Sequence, residues 1–452
     1  MYVILMLGMA KKKKRVEEQL MLDGVTPPSS FVEQKDIVEP EEIDPNQITF
    51  DEFVDESILE KDTVHALMKE AVASEQKTTK KKSSITNLIF LALNIVFMVF
   101  IVKNLLDSAS GNTSLSAVFE TQGSRMWWLL VGLGLLILFF VCETLLFFAL
   151  IKSTTGKNRL GLAYRLASVG KYYDFITPTQ LGGQPSQIIR LTKSGVGAGL
   201  STSIPIIKLI VYNFVYTIIC ILMYVFVMPL IPISGGLQAF LMTLIKVVGA
   251  IGLIVTVISC FLYFIIGNGK LIGRSFIQWL VRVGFKLHIV KNYRQTFDKL
   301  LQHVKEYQSS IKYLNNHKGT LFITVFLCLI ECVAFALIPF CVTMAFGAFE
   351  LSCVADALMC MLITMGQYYI CMLVSTCLPL PGGTGTMEIC YIFFFAIGSY
   401  SVGENIVWAL IFYRVLTYYL VLLQGFIHII VENIVRGVKN KKAQRAFTTK
   451  KL

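Results

Sequence analysis

The residues best suited to chemistry lie in the stretch Leu378-Pro379-Leu380-Pro381-Gly382-Gly383-Thr384-Gly385-Thr386-Met387-Glu388, set between two long apolar runs. Two prolines and three glycines in eleven residues disfavour a continuous helix. Glu388 then puts a carboxylate where the flanking sequence predicts hydrocarbon. In lipid, broken backbone survives only when buried in protein or lining a cavity, and an ionisable residue beside it marks a path or a binding site. The chemistry expected here is the holding of a charged group inside a membrane, with Gly382, Gly383 and Gly385 allowing a hinge or close approach. The plainer alternative is a carboxylate that caps its own helix N-terminus.

Two further segments carry polar chemistry. Lys171–Arg190 is too polar to span, yet rich in Tyr, Phe, Ile and Leu. It is expected at the membrane interface or dipping in as a re-entrant element. Pro178 and Gly182-Gly183 break the helix and free backbone amides, while Gln184, Gln187 and Arg190 follow at helical spacing. Free amides opening a helix, with a guanidinium nearby, suit a phosphate; a surface amphipathic helix with an ordinary turn is the alternative. Arg414 lies deep in the last apolar run, within Phe412–Tyr419. A central arginine costs at least ~2.5–3.5 kcal/mol on insertion scales, so it must find a partner, and Glu388, Glu331 and Glu143 are the candidates. A purely structural ion pair is the alternative. Lys208 and Lys246 lie near predicted span ends and are expected to snorkel.

The elements that must position these groups follow from composition. The 452 residues are 55% hydrophobic, with mean hydropathy +0.65, which places the chain among all-α polytopic integral membrane proteins. Eight apolar segments approach the length needed to cross about 30 Å: Ile85–Leu106, Met126–Ile151, Ile204–Met228, Gln238–Gly267, Gly319–Gly347, Val354–Leu378, Gly385–Ser399 and Asn405–Val431. The seventh is short and starts at the Pro379/Pro381 break, so one or two segments are expected to be broken or re-entrant. The two breaks share a form (Pro, Gly-Gly, then a polar residue opening a helix), which points to a site at a repeat interface.

Charge is unevenly placed. Residues 1–82 hold 12 Lys/Arg and 17 Asp/Glu, whereas residues 83–452 hold 29 and 12. The first region is expected to be an acidic, largely disordered cytoplasmic arm with a short amphipathic helix at Glu56–Ala73. Residues 83–438 form the membrane domain and 439–452 a basic tail. The loop Asn268–Lys318 has ten basic residues and two acids; with the Lys80–Lys82 run and the tail it predicts that both termini are cytoplasmic. Met1–Ala10 precedes its basic cluster, the reverse of a signal peptide, and Met9 offers an alternative start. The 11 cysteines fall between Cys142 and Cys390 without a CxxC pair, so Cys328 and Cys332 read as packing residues. No metal site, cofactor, hydrolase or kinase constellation is expected. Nor is nucleic acid, since no basic patch is interleaved with aromatics on a soluble domain.

Together these three segments resemble the lysylphosphatidylglycerol synthase membrane-domain family, the flippase-like part of bacterial multiple-peptide-resistance proteins. The matching residues are Pro178, Gly182, Gly183, Gln184, Pro185 and Gln187; the Leu378–Glu388 motif; and Arg414, Thr417, Tyr418 and Tyr419. The resemblance covers roughly residues 80–438. It implies a multi-pass bacterial plasma-membrane protein that moves an anionic or aminoacylated phospholipid between leaflets, with effects on surface charge and cationic-peptide resistance. Two-domain members also carry a transferase that moves lysine from lysyl-tRNA to phosphatidylglycerol. About fourteen residues follow Val438, so the expectation is that this chain is not an enzyme by itself.

On this reading Arg190 and the Gly182-Gly183 amides receive a phosphate at the cytoplasmic face, and Arg414 takes it at the midplane. Glu388, with Glu331 or Glu143, binds an ammonium, and Tyr418 lines the path. Two other classes stay open: an accessory subunit of a separately encoded lipid-modifying transferase, and a non-transporting scaffold whose working part is the acidic arm.

Overall fold

The computed structural model describes residues 115–177, 182–231, 236–268, 316–348, 354–378, 380–397 and 402–449, with isolated positions between these runs. The acidic arm, its expected helix at Glu56–Ala73, the expected span Ile85–Leu106, most of the basic 268–318 loop, Pro178 and Pro379 lie outside the described residues. All described residues except Arg282 fall in one compact unit, formed by residues 91–277 and 298–452.

Every described element is helical. In chain order they are α1 (Leu115–Gln122), α2 (Trp127–Thr155), α3 (Leu160–Ile176), α4 (Gly183–Lys193), α5 (Ala198–Leu222), α6 (Leu237–Asn268), α7 (Lys318–Ala336), α8 (Ile338–Ala345), α9 (Val354–Cys377), α10 (Thr386–Ile392), α11 (Ile406–Arg414) and α12 (Leu420–Thr449). Six stretches are long and apolar enough to cross a membrane: Trp127–Thr155, Gly199–Leu230, Ala239–Tyr263, Lys318–Ala345, Val354–Cys377 and Ile406–Val435. These correspond to six of the eight expected spans. The expected seventh is only the short apolar helix Thr386–Phe395. At 1.5 Å per residue it reaches roughly 15 Å, half the hydrocarbon thickness. The Pro-Gly break therefore opens a short apolar helix, described as far as Ile397.

Packing sorts the residues as a lipid solvent requires. Leu130, Ile137, Phe240, Ile254, Phe261, Phe322 and Phe326 face outward, where hydrocarbon replaces water. The interior face of α2 is built from Leu136, Phe139, Phe140, Leu146, Phe147 and Leu150. Its main partner is α7, and it also packs on α3 and α8. On α3, small residues (Ala163, Ala167, Ser168, Gly170) keep the buried face thin, so α2, α4 and α12 all approach it. The turn Pro381–Gly383 rests against α3 as well. The two sequence breaks thus meet on one helix.

Three π turns interrupt the helices, at Met223–Val227, Phe393–Ile397 and Val415–Tyr419. The last joins α11 to α12 directly after Arg414. Such widened turns are common at functional sites, because they re-aim the side chains around them.

Candidate functional site

At the second break the backbone takes a left-handed path at Gly382 (φ 58°), Gly383 (φ 64°) and Gly385 (φ 88°). L-residues rarely adopt this path. At Gly382 space is short as well, since a Cβ there would collide with the Tyr418 ring. The turn delivers Glu388 to the first turn of α10, where its Oε2 accepts the Gly385 N–H at 2.6 Å. Oε1 accepts Arg414 Nε at 2.6 Å and also lies 2.5 Å from Arg414 Nη2. Arg414 Nη1 donates to Gly382 O at 3.3 Å, and its guanidinium lies 5.2 Å from the Tyr418 ring centre. The helix-capping alternative and the ion-pair reading therefore both hold. One carboxylate caps its helix and neutralises the buried arginine. Of the three candidate acids, Glu388 is the one that pairs with Arg414.

Glu143 and Glu331 form a second cluster with two lysines. Lys171 Nζ lies 2.8 Å from Glu331 Oε1 and 3.9 Å from Glu143 Oε2. Lys208 Nζ lies 2.8 Å from Glu143 Oε1. The four groups come from four helices, α2, α3, α5 and α7. Glu143 and Glu331 are 0% exposed, Lys171 7% and Lys208 8%. Aromatic faces complete the setting: Lys171 sits 4.7 Å from the Phe139 ring centre and 5.3 Å from Tyr212, and Lys208 sits 4.9 Å from Tyr212.

The expectation that Lys208 snorkels is thus overturned. The span begins at Gly199 rather than Ile204, which moves Lys208 from a rim to an interior turn facing Glu143. Lys171 opens the Lys171–Arg190 segment, where no role was expected for it. Its signal was available, as a cation one helical turn from Asp174 on the same helix.

At the first break, the amides expected to be free are engaged. Gly182 N–H donates to Thr177 Oγ1 at 3.1 Å and Gly183 N–H to Asp174 Oδ1 at 2.8 Å. Gln187 Nε2 donates to Leu166 O at 3.3 Å, tying α4 to α3, while the buried Gln184 Oε1 lacks a hydrogen-bond partner. Arg190 pairs with Glu432 of α12 at 3.3 Å and donates to Ser186 O at 3.1 Å. A phosphate arriving here would have to exchange with these partners. The sequence pointed to neither Asp174 nor Glu432, because each is recruited across a tertiary contact.

A line of half-buried and buried tyrosines starts at the four-charge cluster. Tyr212 stacks 6.0 Å from Tyr216, Tyr216 lies 5.9 Å from Tyr369, and Tyr369 lies 5.3 Å from Tyr368. Tyr413, beside Arg414, stacks on Tyr391 at 4.6 Å. Among the described residues no ion pair joins the two charge clusters, so the acids expected to act together belong to separate ion-pair groups.

A family model described as the lysylphosphatidylglycerol synthase TM region matches residues 85–425, well over half of the chain. The match includes both breaks, all four members of the lysine–glutamate cluster and the Glu388–Arg414 pair. No curated protein matches the chain.

Proposed function

This chain belongs to the lysylphosphatidylglycerol synthase TM family, and on that premise we propose that it moves a phospholipid, one whose headgroup carries an ammonium as well as a phosphate, between the two leaflets of a bacterial plasma membrane. The supporting observation is the pair of buried charge clusters, Glu143–Lys171–Lys208–Glu331 and Glu388–Arg414, in a bundle of membrane-spanning length.

The physical problem in flipping is the headgroup. An unpaired phosphate or ammonium is prohibitively costly in hydrocarbon. Buried ion pairs contribute little net stability, because desolvation offsets their attraction; their value lies elsewhere. A dipolar headgroup can exchange partners with such a pair. Its phosphate takes the lysines or the arginine, its ammonium takes the carboxylates, and no charge is uncovered. Arg190, Gln184 and the Gly182-Gly183 turn would meet the headgroup at the cytoplasmic side. The lysine–glutamate cluster would take it next, and Arg414 with Glu388 would hold it beside the short apolar helix. Tyr418 lines that last station, and Gly382, Gly383 and Gly385 let the turn between Pro381 and Glu388 yield as the pair opens. The acyl tails stay in lipid throughout, and no covalent step is needed.

Native lipid identification tests this reading. The protein is purified gently and its co-purifying lipids are identified by mass spectrometry, for wild type and Arg414→Ala. Enrichment of an ammonium-bearing phospholipid in the wild type, lost in the variant, is expected. Unselective bulk lipid in both would count against it.

A further inference from the structure

Charge does not balance around Glu331. Its carboxylate faces Glu143 and the Cys142 thiol of α2, Lys171 of α3, and Lys208 and the Tyr212 phenol of α5. Cys328 and Cys332 come from its own helix, and the Tyr369 hydroxyl of α9 donates to Cys332 O at 3.1 Å. The remaining neighbour, α8, carries only Cys341 as an ionisable residue. The thiols and phenols are neutral near pH 7, so the cations here are Lys171 and Lys208. Lys171 is shared between Glu331 at 2.8 Å and Glu143 at 3.9 Å. Asp174 lies within electrostatic reach of both lysines. Three carboxylates thus face two ammonium groups.

The geometry makes the excess local. One ammonium, Lys171 Nζ, reaches both Glu331 Oε1 and Glu143 Oε2, at 2.8 and 3.9 Å, and Glu143 Oε2 and Glu331 Oε2 are buried without a hydrogen-bond donor. Two ionised carboxylates are acceptors only, and like charges that close cannot both persist cheaply in a buried site. A single proton between them supplies the missing donor and removes the surplus charge. The aspartate has another use, since it accepts the Gly183 N–H at 2.8 Å.

We propose that the Glu143–Glu331 pair holds one exchangeable proton, and that a primary ammonium on the lipid headgroup displaces it. The exchange balances at the carboxylates: one proton leaves for water as one ammonium enters, and the positive charge facing the two acids is unchanged. Lipid and proton would then travel in opposite directions, and a proton gradient would drive the lipid. This rests on the lipid-moving reading above and adds its coupling ion; the first measurement below is independent of transport.

The full chain is placed in nanodiscs of phosphatidylcholine and its infrared difference spectrum is titrated from alkaline to acidic pH. A protonated-carboxyl C=O band is expected in the wild type. It should be lost in Glu331→Gln, kept but shifted in Glu331→Asp, and unaffected in Glu388→Gln. A wild type without the band, or a band that survives in both Glu331→Gln and Glu143→Gln, overturns the proton site. A pH-indicator dye then follows the addition of a short-chain lysine ester of phosphatidylglycerol. Proton release is expected with this probe and not with short-chain phosphatidylglycerol, which has no ammonium. Release with neither probe overturns the displacement. A wild type that shows the band and the release but moves no lipid leaves the site standing and refutes the transport reading instead.

Discussion

The two buried charge clusters solve the same problem in opposite ways. Glu388 and Arg414 form a compact lock within a single turn and its neighbouring helix. The carboxylate accepts a backbone amide and Arg414 Nε, Nη1 donates to a backbone carbonyl, and Nη2 has only the ion pair. The Glu143–Lys171–Lys208–Glu331 cluster is spread over four helices, shares one lysine between two acids and leaves Glu331 Oε2 without a hydrogen bond. A guanidinium fork suits a fixed geometry, whereas ammonium groups are compact points that re-pair easily. On the proposed reading the Glu388–Arg414 pair is the stiffer of the two stations, and the lysine–glutamate cluster re-pairs more easily.

The largest expected effect tests the lock. Arg414→Ala strands a buried carboxylate and should cost about 3–5 kcal/mol as well as transport. Adding Glu388→Ala should recover much of the stability without restoring transport, read by thermal unfolding in detergent beside a flipping assay. Lys171→Met should cost less, below ~3 kcal/mol, because Lys208 can re-pair and a proton can neutralise the remaining acids. Its transport should still fall to background. An equal stability loss for the two variants would erase the distinction between lock and exchanger. Gly382→Ala, which forces a left-handed φ and a clash with Tyr418, should cost about 1–3 kcal/mol. The smallest effect belongs to Arg190→Ala: its pair with Glu432 lies at the edge of the bundle, each partner being partly exposed. About 1 kcal/mol or less is expected, with slowed rather than abolished lipid entry.

The same contrast separates what was legible in the sequence from what was not. Pro379, Pro381 and the three glycines announce the break, and Arg414 announces that it needs an acid, because local composition carries both messages. The choice among Glu388, Glu331 and Glu143 depends on how helices rotate against each other, which no single segment encodes. Lys208 was misplaced for a simple reason. The polar Gly199-Leu200-Ser201-Thr202-Ser203 turn hides the true start of its span, and a shift of five residues turns a rim lysine into a buried one. The Gly182 and Gly183 amides read as free because Thr177 and Asp174, which take them, lie five and nine residues back in the chain. Six of the eight expected spans are found among the described residues, legible from length and hydropathy alone, since the demand of a lipid solvent is uniform.

The most direct measurement is lipid flipping in sealed vesicles. Wild type, Lys171→Met and Arg414→Ala are reconstituted with a headgroup-labelled phospholipid that retains its ammonium, and a membrane-impermeant quencher reads the outer leaflet over time. Exchange through the buried clusters predicts fast loss of protection with the wild type and protein-free rates with both variants. Wild-type vesicles that match protein-free ones, or variants that flip at the wild-type rate, would contradict it.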